Sequence, residues 1–131
     1  MRVMLDTSAY SAFMRGHDAM IRIVQQVDEI FLCPVILGEL LAGFFRGNQK
    51  KKNEQELERF LASPRVNIVP LDAETADRYA VILTTLFRAG TPIPTNDLWI
   101  AASAMQHGLR LVTTDHHFQK VPQVIVTYLD V

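Results

Sequence analysis

Cysteine is nearly absent from this sequence, and neither sign of charge is in excess. Cys33 is the single cysteine among 131 residues, which excludes an internal disulfide and a zinc site built from cysteines. The 13 basic and 14 acidic residues give a net charge of −1. A chain without a broad positive field is a poor candidate for tight, nonspecific DNA binding, although a metal-dependent nuclease can hold phosphate through its ions.

Long hydrophobic runs are also missing. The longest apolar stretch, residues 30–45, is interrupted by Pro34 and Glu39 and cannot span a bilayer. The N-terminus already contains Arg2 and Asp6, so it does not have the pattern of a signal peptide. We therefore expect a cytoplasmic protein with no membrane partner.

Short apolar segments alternate with longer helical patterns along the chain. The length and the hydrophobic fraction of 49% suit a single globular domain over residues 1–131. This alternation predicts an α/β fold, with three α/β/α layers around a mainly parallel sheet. The predicted strands are residues 3–5, 29–33, 66–69, 109–113 and 124–126. The predicted helices are residues 8–15, 18–27, 34–45, 49–62, 72–89 and 95–107, with a short turn or helix at 116–118. The third and fourth helices are separated by a tight turn, which predicts a projecting helical hairpin.

The helix that begins near Thr95 and ends at Gly108 is apolar on nearly all sides, so we expect it to be buried. Thr95, Asn96 and Asp97 are ordinary residues for a helix start, where their oxygens can accept bonds from free backbone N–H groups. A carboxylate in the first turn of a buried helix is also held in place and desolvated. Asp97 is therefore a candidate functional residue.

Three further acids are predicted to meet Asp97 at one edge of the sheet. Asp6 and Asp115 each follow the end of a predicted strand, and Glu39 lies about one and a half turns into the helix after the second strand. The carboxyl ends of parallel strands share one edge, where open α/β sheets keep their sites. Like charges so close together require a cation, and Mg²⁺ or Mn²⁺ prefers such oxygen ligands. Each acid alone also has a structural explanation: a turn, a helix cap or a solvated position.

Two of the hydroxyl residues near these acids are candidates for supporting them. Thr113 comes two residues before Asp115, and Ser8 comes two residues after Asp6. Either hydroxyl can hydrogen-bond a ligand carboxylate or the attacking water, or it can make only a local turn bond.

Several other charged or titratable residues have simpler explanations. His116 and His117 could act as metal ligands or acid/base groups, although a surface-loop position is the commoner case for such residues. The three lysines at 50–52 are expected to form a solvated helix face, with RNA contact as the alternative. Without a cation, the negative charge of Glu39 is expected to destabilise the fold more than the negative charge of Asp97 does. The reason is that Asp97 lies at a helix N-terminus, where the macrodipole favours a negative charge by roughly 0.3–1 kcal/mol.

These motifs resemble those of the PIN-domain nucleases, in particular the VapC-type toxins of bacterial and archaeal toxin–antitoxin pairs. The resemblance covers essentially the whole chain and rests on residues 4–8 (MLDTS), 34–40 (PVILGEL) and, most strongly, 93–118. It implies a PIN-like fold, Thr113 as the family's hydroxyl, and metal ligands at Asp6, Glu39, Asp97 and Asp115. Many relatives carry a further acid just beyond the last of these, where this chain has two histidines. The number of metal ions therefore stays open.

The family's reaction is endonucleolytic cleavage of RNA, in which water activated by the carboxylate-held ion attacks a phosphodiester. The resemblance also implies a homodimer and a cognate antitoxin. The C-terminal segment of that antitoxin would cover the groove beside the helical hairpin of residues 34–62 and block the active site.

Three other functions fit parts of this pattern. A haloacid-dehalogenase-type phosphatase needs a second aspartate two residues after its nucleophile, where this chain has Ser8. A PIN-fold RNA-processing nuclease without an antitoxin stays open, and a neighbouring reading frame for a small antitoxin would distinguish it from a toxin. A catalytically silent RNA- or protein-binding homologue is disfavoured because all four acids are present.

Asp6 ends a predicted strand at the centre of the proposed site, which makes its substitution a direct test. We expect Asp6→Asn to lower divalent-dependent ribonuclease activity by orders of magnitude, because ligands that act as a unit are not additive. The measurement is RNA cleavage by the purified protein in Mg²⁺. Substantial cleavage by a folded Asp6→Asn protein would refute the assignment.

Overall fold

A computed structural model describes all residues, 1–131, and contains one five-stranded sheet in which every neighbouring pair of strands is parallel. The strands are β1 (Arg2–Leu5), β2 (Glu29–Leu32), β3 (Val66–Ile68), β4 (Arg110–Thr113) and β5 (Val126–Tyr128). Their order across the sheet is β3-β2-β1-β4-β5, so β1 is the central strand. After β1 the chain adds β2 and then β3 on one side of the sheet. It then crosses back, so that β4 and β5 lie on the other side of β1.

The helices are α1 (Thr7–Met14), α2 (Asp18–Gln26), α3 (Pro34–Arg46), α4 (Lys50–Leu61), α5 (Ala73–Ala89) and α6 (Thr95–His107). A 3₁₀ helix spans His116–Lys120. Consecutive residues of a strand point to opposite faces, and Val3, Met4 and Leu5 are all fully buried. Both faces of the sheet are therefore covered, and the predicted three-layer α/β architecture is confirmed. The structure contains no helix that is long and apolar enough to cross a membrane.

Helix α6 is buried as predicted, but its beginning differs from the prediction. Leu98, Ile100 and the alanines that follow are buried. The N-cap residue is Pro94, and no side chain makes a capping hydrogen bond there. The polar residues of the first turn therefore do not cap the helix, and their side chains are available for other contacts. At the other end, Gly108 adopts a φ of 63°, which favours glycine and turns the chain into β4.

Helices α3 and α4 form the predicted hairpin. Pro34 lies in the first turn of α3, where its missing N–H costs nothing. The ring of Phe60 packs edge-on against Tyr10 of α1 with their centroids 5.1 Å apart, which fastens α4 to the body. On α3, Phe44 packs against the core, whereas Phe45 is 70% exposed. The hairpin therefore presents an aromatic side chain to its surroundings.

The last strand begins two residues later than predicted. The apolar run at residues 124–126 suggested a strand, but Pro122 to Val124 belong to a turn. Pairing with β4 begins at Val126, opposite Leu111. Hydrophobicity alone could not distinguish the buried turn residue Val124 from a strand residue.

Arg65 joins the C-terminal end of α2 to the start of β3. Its Nη1 donates to the backbone oxygens of Val24 at 3.0 Å and Val27 at 2.6 Å. The Val24 carbonyl lies in the last turn of α2 and the Val27 carbonyl at its C-cap, and neither has a partner within the helix.

We expect Arg65→Met to lower the free energy of unfolding by about 1–3 kcal/mol, because it leaves these carbonyl groups without a charged donor. The measurement is urea unfolding followed by circular dichroism. Arg22→Met is the matched control, since Arg22 is exposed on α2. Equal unfolding free energies for the two variants would contradict the assigned role of Arg65.

Candidate active site

The four predicted acids converge at the carboxyl edge of the sheet. Asp6 follows β1 and Asp115 follows β4, and these two strands are neighbours. Asp97 lies in the first turn of α6, and Glu39 lies in the second turn of α3. The charge of Asp115 contributes to raising the pKa of both Asp6 and Asp97, and Glu39 does the same for Asp97. The acids are therefore close enough to interact electrostatically.

Asp6 is held rigidly by three hydrogen bonds. One carboxylate oxygen accepts the hydroxyl of Thr113 at 2.6 Å. The other accepts the hydroxyl of Ser8 at 2.7 Å and the backbone N–H of Ala9 at 2.8 Å, so Asp6 also caps α1. Thr113 and Ser8, the two hydroxyl residues singled out in the sequence, thus contact the same carboxylate. Burial raises the pKa of Asp6, the three hydrogen bonds oppose that rise, and the charge of Asp115 adds to it.

Asp97, Asp115 and His117 form a compact group. Nδ1 of His117 lies 2.9 Å from Oδ2 of Asp97 and 3.1 Å from Oδ1 of Asp115. One donor atom from each of the three residues lies within 4.8 Å of the others. Burial is the main cause of a raised pKa at Asp97; the hydrogen bond to His117 lowers that pKa.

His117 is the residue that sequence reasoning left unassigned, because a surface-loop position was preferred over a role as a ligand or acid/base group. The feature that could have indicated its position is the 3₁₀ helix that begins directly after Asp115. Asp115 is the N-cap of this helix, and its carboxylate accepts the backbone N–H of His117 at 2.9 Å. An N-cap aspartate fixes the residue two positions later beside its own side chain. His116 matches the expectation, since it is exposed and contacts Tyr128 and Gln119 instead.

Glu39 lies next to the group but outside it. Its carboxylate accepts the hydroxyl of Thr7 at 2.5 Å and the side-chain amide of Asn96 at 3.2 Å. Thr7 follows Asp6 in the sequence, and Asn96 precedes Asp97. Their contacts with Glu39 nevertheless depend on how α3 packs. The same side chains line an open cleft with Gly38, Ala42 and Arg46 of α3.

The donor set fits a divalent cation. It consists of carboxylate oxygens and one imidazole nitrogen, and no lysine or arginine makes an ion pair with any of the four acids. Buried or half-buried carboxylates without a permanent positive partner are expensive to ionise, and a cation removes that cost. Hard divalent ions prefer such oxygen ligands.

Comparison with known proteins identifies the family. The sequence matches the model of the PIN domain over residues 3–124. The chain belongs to the PIN domain family. It is 31% identical to ribonuclease VapC1 of Rickettsia felis over 86% of this chain and 84% of that protein. It is 29% identical to ribonuclease VapC of Rickettsia bellii over 96% and 95% of the two chains.

Solved structures of this family share the whole fold. A chain in the complex VapBC2 from Rickettsia felis, bound to a DNA fragment from its promoter, has a TM-score of 0.88 and 27% identity over 99% of this chain and 100% of that chain. VapBC-1 from nontypeable Haemophilus influenzae gives a TM-score of 0.84 and 26% identity over 98% of each chain. A third, VapBC-5 from Mycobacterium tuberculosis, is described as a member of a toxin–antitoxin family and gives a TM-score of 0.75 at 25% identity, over 98% of each chain. The resemblance inferred from the sequence motifs is thereby confirmed.

The contacts of Asp97 and Glu39 lead us to expect the opposite order of charge costs from the one expected from the sequence. Glu39 accepts two side-chain hydrogen bonds, whereas burial dominates at Asp97 despite its position at a helix N-terminus. A carboxyl with a higher pKa in the folded than in the unfolded chain binds its proton more tightly when folded. Ionisation at pH 7 therefore opposes folding.

In a chelator at pH 7, Asp97→Asn should therefore raise the melting temperature by a few degrees, and Glu39→Gln should raise it less. In excess Mn²⁺ the wild type should become the most stable of the three, because a ligand that binds only the folded state stabilises it. The measurement is a set of thermal melts under both conditions. A lower melting temperature for Asp97→Asn than for wild type in chelator would show that the Asp97 charge is stabilising.

Proposed function

We propose that this protein is a divalent-metal-dependent endoribonuclease and the toxin of a toxin–antitoxin pair. The observation that carries the proposal is the convergence of Asp6, Asp97, Asp115 and Glu39 at the carboxyl edge of a PIN-domain sheet. Relatives that align with most of this chain are named ribonucleases. We infer that the single PIN domain spans residues 1–131 and acts in the cytoplasm.

Asp6, Glu39, Asp97 and Asp115 are the residues that we assign to hold Mg²⁺ or Mn²⁺. A bound divalent ion supplies Lewis acidity, which makes water a stronger nucleophile at neutral pH and neutralises charge on a phosphoryl oxygen. The contribution of the protein is to fix the ligands before substrate arrives. Thr113 and Ser8 do this for Asp6, because each donates its hydroxyl to a different carboxylate oxygen.

The cleft along α3 is the candidate path for RNA. Gly38 and Ala42 give it an open floor, since a Cβ atom added at Gly38 would meet no atom within 4 Å. Glu39 and Asn96 lie beside this floor, and Arg46 supplies a positive charge that no acidic side chain of the chain neutralises. A guanidinium beside a metal centre can hold a phosphate of the same strand.

The hairpin of α3 and α4 is the candidate surface for an antitoxin. Related solved structures are VapBC complexes, and the exposed apolar residues Leu41 and Phe45 belong to the helix that lines the cleft. A partner segment laid over these residues would cover the cleft as well. We also propose that the chain forms a homodimer, as the family resemblance implies.

We expect expression of the chain alone to arrest bacterial growth, because free ribonuclease depletes an RNA that the cell needs. Coexpression with the product of a neighbouring reading frame should restore growth, and the two proteins should copurify. The readouts are growth curves and affinity purification. Asp115→Asn is the matched control, since it should be harmless while remaining folded. Harmless wild-type expression together with intact RNA cleavage in vitro would instead indicate a housekeeping nuclease.

A further inference from the structure

We propose that His117 is a direct nitrogen ligand of the divalent ion, so that this centre has a mixed nitrogen and oxygen ligand set. The inference rests on the proposed function and refines it, because it assigns a ligand that the four acids do not include. A nitrogen ligand favours first-row transition ions such as Mn²⁺ over Mg²⁺.

The distances around His117 match those expected around one ion. Adjacent donors of an octahedral ion with bonds of about 2.1 Å lie roughly 3 Å apart. Nδ1 of His117 lies 2.9 Å from the nearer oxygen of Asp97 and 3.1 Å from that of Asp115. The imidazole nitrogen is therefore aimed between two carboxylates that belong to the proposed metal site.

The local backbone holds the ring in this orientation. The carboxylate of Asp115 accepts the backbone N–H of His117, so the first turn of the 3₁₀ helix is tied to the same acid that the ring faces. Nδ1 faces the carboxylates, while Nε2 makes no hydrogen bond with the protein. A neutral imidazole can thus carry its proton on Nε2 and leave Nδ1 free to coordinate.

The competing explanation is a hydrogen-bonded clamp, in which Nδ1 carries a proton and bridges Asp97 and Asp115. The two explanations exclude each other, because a nitrogen that binds a metal ion carries no proton. They predict different ligand atoms on a bound ion. The chain also offers a matched control in the neighbouring His116, whose ring contacts Tyr128 and Gln119.

Pulsed electron paramagnetic resonance of Mn²⁺ bound to the full chain tests the proposal, because it detects a directly bonded ¹⁴N nucleus. We expect nitrogen coupling in wild type and in His116→Gln, and none in His117→Gln. His117→Asp should also lack the coupling but should retain Mn²⁺ through an oxygen. Folding of each variant is checked by circular dichroism. We expect His117 to tolerate substitution because its side chain is 42% exposed.

Affinities measured by calorimetry give a second readout that does not depend on RNA cleavage. His117→Gln should bind Mn²⁺ at least about tenfold more weakly than wild type, with a smaller change for Mg²⁺. His116→Gln should match wild type for both ions.

The failures of the two proposals are distinguishable. Bound Mn²⁺ without nitrogen coupling in wild type would overturn the ligand assignment and support the clamp, while leaving the metal-dependent nuclease intact. Coupling that persists in His117→Gln would also overturn it. A wild-type chain that binds neither ion would overturn the proposed metal centre together with the assignment of His117.

Discussion

The hydrogen bond from Thr113 to Asp6 is the interaction on which the site depends. It joins the ends of β4 and β1, the two strands whose backbones pair as Leu5 opposite Val112. Ser8 strengthens the junction, because its hydroxyl donates to Asp6 and accepts the backbone N–H of Thr114. A fully satisfied polar network of this kind is rigid in a low-dielectric setting. The other acids are therefore arranged around a carboxylate whose orientation is fixed.

The arrangement has an energetic cost that the rest of the fold must offset. Burial raises the pKa of Asp6 and of Asp97, and no arginine or lysine lies close enough to pair with either. The sheet beneath them compensates through strands whose side chains are buried on both faces. The site is thus a region of concentrated negative charge supported by an apolar core. An unfavourable electrostatic energy of this kind is common where a protein must bind a cation.

Much of this organisation was readable from the sequence, for physical reasons that differ between residues. Asp6 and Asp115 could be placed because a polar residue after a buried strand must lie at the sheet edge, whatever the details of packing. His117 could not be placed in the same way, because the short turn predicted at residues 116–118 does not show which way the imidazole ring points. The partners of Glu39 were also hidden, since Thr7 and Asn96 reach it only through the packing of three helices. Local propensity had assigned the polar side chains at the start of α6 to capping. Because Pro94 is the N-cap residue, these side chains make no capping bond.

The sheet order has a consequence for the timing of assembly. The central strand β1 is made first, yet its partner β4 comes late, and Asp6 and Thr113 are separated by 107 positions. At synthesis rates of about 5–20 residues per second, roughly 5–20 s elapse between the two. Throughout that interval the nascent chain holds Asp6 without the hydroxyl that orients it and without Asp115, and Asp97 is added only near its end. Chain connectivity alone therefore delays completion of the carboxylate cluster until β4 and the residues that follow it have been made.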